Sequence, residues 1–99
     1  MSGKGKEAAD AQPKLDFATF ILSLSHSALV HLGEAPHPDG EATNRDLALA
    51  RQTIDMLGML EEKTRGNLTG DEERMLSQVL YDLRMRFVEL SKAEQGKKA

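Results

Sequence analysis

The chain has 99 residues, 39% of them hydrophobic, which is enough for one small domain and leaves no room for a second. Lys and Arg number 13 against 16 Asp and Glu, and the net charge of -3 has the wrong sign for a protein that holds nucleic acid through phosphate contacts. The chain contains no cysteine, which excludes disulfides and thiolate metal sites and is consistent with a reducing compartment. One tyrosine, three phenylalanines and no tryptophan leave a core of aliphatic residues and favour helices.

The two ends of the chain differ in composition from its middle. The opening stretch MSGKGKEAADAQPK carries lysines but no apolar run, so we expect neither a secretory signal nor an anchor, and we expect a cytoplasmic protein. A similar composition returns in KAEQGKKA at the other end. We therefore predict a disordered tail over residues 1–14, a single helical domain over 15–91 and a flexible tail over 92–99.

The first predicted helix spans about residues 16–32. Asp16 is a favourable N-cap, and Gly33 is a favourable C-terminal stop. The segment GEAPHPDGEAT that follows contains Pro36, Pro38 and a turn signal, so it is predicted to be an extended connector.

The second and third predicted helices form a hairpin. Helix 2 spans about 45–65, with Thr43 or Asn44 as its cap and Gly66 as its stop. Helix 3 spans about 70–91, and Thr69 and Glu72 have the spacing of a capping box at its start. Because only GNL separates these helices, they must fold back on each other as an antiparallel pair. The predicted fold is all-α, a three-helix architecture with helix 1 packed across this hairpin.

The apolar faces of the helices predict which surfaces meet. Helix 2 and helix 3 have matching faces, made respectively of Leu47, Leu49, Ala50, Ile54, Met56, Leu57 and Leu60, and of Leu76, Val79, Leu80, Leu83, Phe87 and Leu90. The apolar face of helix 1 covers an arc of about 200°, more than one neighbouring helix can cover. A second apolar row on helix 3, Tyr81, Met85 and Val88, lies nearly opposite its main face.

The excess apolar surface indicates self-association. A closed monomer of three helices offers no partner for the second row of helix 3, and helix 1 is wider than a one-sided surface helix requires. The candidate surface for a partner or for self-association comprises Phe17, Phe20, Ile21, Leu24, Tyr81, Met85 and Val88. We expect a homo-oligomer, with a dimer favoured. The second expectation is that this surface binds an unidentified protein partner.

The polar residues of helix 1 do not compose a recognisable site. His26 and His31 are rotated from each other by about 140° on a helix, so they cannot share a metal as a pair one turn apart could. His37 lies in a proline-flanked loop. Ser23, Ser27 and His31 fall along one row, but an orienting acid and an oxyanion donor are not indicated. We therefore predict no enzyme activity, no cofactor and no metal. An enzyme or metal protein centred on His26 and His31 is kept as a rival hypothesis, and any role of these side chains beyond packing is left open.

The sequence offers less support for two other functions than for self-association. Arg74, Arg84 and Arg86 give helix 3 positive charge for a nucleic-acid-associated regulator, but no aromatic residues alternate with them and acids are mixed throughout. Peripheral membrane association through helix 1 is disfavoured, because the apolar stretch is shorter than the roughly 20 residues of a span and its polar side lacks Lys and Arg.

The segments DFATFILSLSHSALVHLGE, LALARQTIDMLGMLEEKTRGNLTGDEERML and LYDLRMRFVEL occur in this order. Over about residues 15 to 91 the chain resembles a small bacterial family of uncharacterised proteins, domain of unknown function 1844. The resemblance implies an all-helical, soluble bacterial protein, and it implies no catalytic residues. The favoured hypothesis is a self-associating protein-protein interaction or scaffold module.

Overall fold

The computed structural model describes residues 16–36 and 45–98, and within these ranges the chain forms three α-helices and no strand. Helix α1 spans Phe17–His31, α2 spans Leu47–Lys63 and α3 spans Gly70–Lys98. The predicted all-α, three-helix architecture is confirmed. The N-terminal tail predicted over residues 1–14 and the middle of the connector, with His37, lie outside the described residues.

Aspartates cap the first two helices. The Asp16 side chain accepts a hydrogen bond from the Thr19 amide at 2.8 Å, as predicted. The second cap is Asp46, whose Oδ1 accepts from the Leu49 amide at 3.1 Å, so the prediction of Thr43 or Asn44 was wrong. The cause is a contact between elements, because the Asp46 amide donates to the carbonyl of His31 at 2.7 Å and Asp46 itself has an extended backbone.

Glycines with left-handed backbone geometry follow both α1 and α2, but only Gly33 lies at the predicted stop. Gly33 has a φ of 79° and Gly66 a φ of 84°, in the left-handed region where residues with a Cβ are strained. Gly33 directly follows Leu32, the C-cap of α1, whereas α2 ends earlier than predicted, at Lys63 with Thr64 as its C-cap, and Gly66 lies in the turn beyond.

The capping box at the start of α3 is also confirmed. The Thr69 amide donates to Glu72 Oε1 at 2.9 Å, and the Glu72 amide donates to Thr69 Oγ1 at 3.1 Å. Two amides at the helix start are thereby satisfied reciprocally. Acidic residues in the first turn add a favourable interaction with the helix dipole.

Replacing Thr69 with alanine is expected to lower the free energy of unfolding by about 1 kcal/mol, because the Glu72 amide loses its acceptor. Urea unfolding followed by circular dichroism measures this change. Thr69→Ser is the matched control, because it keeps the hydroxyl and should stay close to the wild type. An equal loss in both variants would show that the hydroxyl is not what stabilises this helix start.

The core lies where the three helices meet. Ile21, Ala28, Leu32, Ala50, Ile54, Leu57, Leu76, Leu80 and Leu83 form one cluster of buried side chains. The hairpin is antiparallel: Glu61 of α2 lies near Ser77 at the start of α3, and Ile54, earlier in α2, lies near Phe87, later in α3. Helix α1 packs across this pair and contacts both of its helices.

Helix α3 continues past Ser91, where the sequence indicated its end, to Lys98. Residues 92–98 are therefore helical. The segment contains good helix formers and no proline. It is also attached to the rest of the fold, because Glu94 lies 3.6 Å from Arg45 Nη1.

Arg45 connects all three helices at one end of the bundle. Its Nε donates to the carbonyl of Leu32 at 2.9 Å, beyond the last turn of α1. Its Nη1 reaches Glu94 on α3, and the residue itself directly precedes the cap of α2. This end of the fold is therefore held by polar contacts as well as by the apolar core.

Two residues assigned to the buried face of α2 were placed wrongly. Leu49 is 43% exposed and Met56 is 44% exposed. Thr53 is buried instead, and its Oγ1 donates to the Leu49 carbonyl at 3.1 Å, which satisfies the hydroxyl inside the bundle. The buried face of α2 is narrower than the sequence suggested, because Leu49 and Met56 lie at its edge.

Candidate interaction surface

Three apolar side chains of α3 point away from the bundle. Tyr81 is 64% exposed, Met85 is 45% exposed and Val88 is 46% exposed. We call these three residues the α3 row. They occupy successive turns on the side of α3 opposite the buried Leu76, Leu80 and Leu83. The helix therefore has two apolar faces, and the bundle covers one of them.

The α1 part of the predicted surface is mostly used inside the monomer. Ile21 is 0% exposed and belongs to the core, so it is excluded from any surface in this structure. Phe17 and Leu24 are half-buried and pack against that core, and Phe20 remains exposed at 41%. The physical reason is that α1 contacts both α2 and α3, so two neighbours cover much of its wide face.

Of the seven residues predicted for this surface, the three of the α3 row and Phe20 are exposed. Tyr81 and Met85 line a shallow groove with Glu34, which follows the C-terminal end of α1. The α3 row is therefore the main part of the predicted surface that the monomer leaves open.

Other exposed apolar side chains were not assigned to a surface from the sequence. These are Leu22, Leu49, Met56 and Met59, which are 54%, 43%, 44% and 52% exposed. Helical phase alone could have identified Met59, because it lies away from the buried positions of α2. Leu22 lies at the edge of the wide arc of α1, where the sequence does not show how far the neighbours reach.

Two opposite charges lie on either side of the α3 row. Arg84 and Glu89 are exposed, and neither forms an ion pair within the part of the chain that the structure describes. A Cβ added at Gly58 would stand 3.0 Å from Arg84 Nη2, so the guanidinium lies over the glycine of α2. The arginine side of the row therefore borders α2, and the glutamate lies on the other side.

The other arginines of α3 are held by acids. Arg86 Nε donates to Asp82 at 3.1 Å, and its Nη1 donates to Glu34. These hydrogen bonds, first that of Asp82 and then that of Glu34, raise the pKa of Arg86 above its ordinary value. Arg74 pairs with Asp71. Two of the three arginines considered for nucleic acid are thus engaged with carboxylates.

The histidines and serines of α1 are exposed or half-buried, and they form no metal-binding group within the described residues. His26 and Ser23 are exposed, and His31 and Ser27 are half-buried. Within residues 16–36 and 45–98, no three His, Cys, Asp or Glu side chains lie close enough together to bind a metal. In the same ranges, no helix combines the length and the apolar character needed to cross a membrane.

Comparison with known families adds one finding. Residues 14–89 match the model of a family described as Domain of unknown function (DUF1844). The chain belongs to this family. The match covers the α3 row and both flanking charges, so the surface lies within the DUF1844 domain and not in an appended segment. Searches of curated proteins and of solved structures found no match.

Proposed function

We propose that this DUF1844 protein is a small self-associating interaction module that binds a second copy of itself through the α3 row. The observation that carries the proposal is the exposure of Tyr81, Met85 and Val88 on the face of α3 opposite its buried side chains. Exposed apolar side chains that lie next to each other on one face are typical of contact surfaces, whereas singly scattered ones are ordinary on any surface. Tyrosine and methionine are also enriched at protein interfaces.

The surroundings of the α3 row support the proposal. Gln78 and Lys92, one turn before and one turn after it, are exposed, and Arg84 and Glu89 flank it. An apolar centre with a polar rim is the usual arrangement in interfaces between soluble proteins. The proposal needs no catalytic step, cofactor or metal.

The two alternatives receive less support from the same contacts. A nucleic-acid surface on α3 needs free cations, but Arg74 and Arg86 are paired with acids. Membrane binding through α1 needs a free apolar face, but Phe17, Ile21 and Leu24 pack in or against the core.

Sedimentation velocity over a concentration series tests the proposal. The wild type is expected to shift from the monomer to the dimer mass as concentration rises. Met85→Lys should hold the protein in the monomer at concentrations where the wild type is dimeric, because it places a charge in the centre of the row.

Met59→Lys is the matched control. Met59 is a methionine of similar exposure, 52% against 45%, on a different helix. It should associate as the wild type does. A wild type that stays monomeric at every concentration, or equal loss in both variants, would overturn the assignment of this surface.

A further inference from the structure

The exposed face of α3 has the spacing of a coiled-coil seam. Gln78, Tyr81, Met85, Val88 and Lys92 are separated by alternating steps of three and four residues, and the first and last are exposed polar residues that bound the three apolar ones. This is the alternation of a and d positions in a heptad. Gln78, Met85 and Lys92 take a, and Tyr81 and Val88 take d.

The flanking charges then occupy defined heptad positions. Arg84 directly precedes the a position of Met85 and is a g residue, and Glu89 directly follows the d position of Val88 and is an e residue. At about 100° per residue they lie roughly 70° to either side of the seam. Both are exposed, and neither is used in an ion pair of the monomer within the described ranges.

The charge pattern distinguishes the two orientations of a helix pair. In a parallel pair, a g residue faces the e residue five positions later on the partner, so Arg84 would face the partner's Glu89 and the same contact would repeat by symmetry. In an antiparallel pair, g edges face g edges and e edges face e edges. In that arrangement Arg84 would lie against the g edge of the partner, which carries the same arginine. Glu89 would lie against the e edge of the partner, which carries the same glutamate and Asp82.

We propose that two copies of this chain pair along α3 in the parallel orientation, about a two-fold axis that runs along the helices. The inference rests on the proposed function and adds the orientation and the ion pairs of Arg84 with the partner's Glu89. The contact is isologous, as in most homodimers. Lys92, which would meet its own copy at an a position, is the kind of residue that specifies register and oligomer state at some loss of stability.

The position of α2 is compatible with this arrangement. Arg84 lies over Gly58, and with Arg51 and Asp55 it lines a shallow pocket beside Val88. A partner helix on the seam would therefore border α2 on the arginine side. On the glutamate side of the row, Glu89 lines the groove with Glu34 and Arg86, so that edge has no comparable free cation.

Disulfide cross-linking tests the orientation, and the chain suits it because it contains no cysteine. Gln78→Cys and Lys92→Cys each place one thiol on the seam. In a parallel pair each variant should cross-link to itself under mild oxidation. In an antiparallel pair the a positions of one helix face d positions of the other, so neither variant should cross-link to itself.

Lys63→Cys, an exposed position on α2, measures the background of chance collisions. Efficient self-cross-linking of both seam variants above this background supports the parallel pair. A protein that dimerises by sedimentation, but in which neither seam variant self-cross-links above this background, overturns the parallel pair while the proposed self-association stands. A protein that is monomeric by sedimentation and cross-links no faster than the control overturns both.

Charge reversal tests the ion pairs. Arg84→Glu and Glu89→Arg should each weaken dimerisation by roughly tenfold, because two attractive contacts become repulsive. The double variant, Arg84→Glu with Glu89→Arg, should recover the affinity of the wild type. A double variant weaker than either single one would show that these residues do not face each other, and the thermal unfolding of each isolated variant checks that its fold is intact.

Discussion

Replacing Leu57 with alanine is expected to lower the free energy of unfolding by roughly 2–5 kcal/mol, the largest loss from any substitution considered for this protein. Leu57 is 0% exposed and belongs to the cluster where all three helices meet. Its removal loses the transfer free energy of the side chain and leaves a cavity that helices fixed by their other contacts cannot fill. Domains of this kind have a total stability of about 5–15 kcal/mol, so the variant loses a large part of it.

Urea unfolding followed by circular dichroism measures this loss, with Met59→Ala as the control. Met59 lies two residues away on the same helix, but it is 52% exposed. Its truncation should change the free energy of unfolding by less than about 0.5 kcal/mol. Similar losses at the two positions would contradict the placement of the core on the Leu57 side of α2.

The second large effect is expected in the turn that follows α2. Gly66→Ala should reduce the free energy of unfolding by roughly 1–2 kcal/mol, because a residue with a Cβ is strained in the left-handed region. No heavy atom lies within 4 Å of a Cβ added at Gly66, and its φ is 84°, so the loss arises from the backbone alone and not from a clash.

Gly96→Ala is the matched control, because Gly96 also has open space around it but lies inside α3. There the change should be neutral or stabilising by up to about 1 kcal/mol, since alanine favours the helix more than glycine does. Gly66→Asn should recover part of the loss, because asparagine tolerates the left-handed region. Opposite signs at the two glycines are the expected result; losses of equal size at both would contradict the backbone argument.

The features that the sequence predicted well depend on neighbouring residues. The capping box of Thr69 and Glu72 and the stop at Gly33 each involve a few consecutive positions. The short link between the second and third helices requires the hairpin, whatever else the chain does. The exposed α3 row follows from helical phase, because a side chain opposite the buried face of α3 has no neighbour in a three-helix monomer.

The features that the sequence did not predict depend on contacts between distant positions. Asp46 replaces Thr43 or Asn44 as the cap because its amide bonds to His31 in another element. Ile21 was assigned to an external surface because the arc of α1 is wide, but two neighbouring helices cover its position. Sequence periodicity measures how wide an apolar face is, and it does not measure how many neighbours lie against it.

The polar contacts around Arg45 also bear on how the connector between α1 and α2 can vary. The Asp46 amide bonds to the His31 carbonyl at 2.7 Å, and Arg45 Nε bonds to the Leu32 carbonyl at 2.9 Å. These bonds join the two ends of the connector at its base, so the spacing of the helices does not depend on the residues between. Lengthening a closed loop costs only about 0.6 kcal/mol per doubling. The connector is therefore a place where the chain can accept inserted sequence, or a genetically encoded label, without a change in the surface that α3 presents.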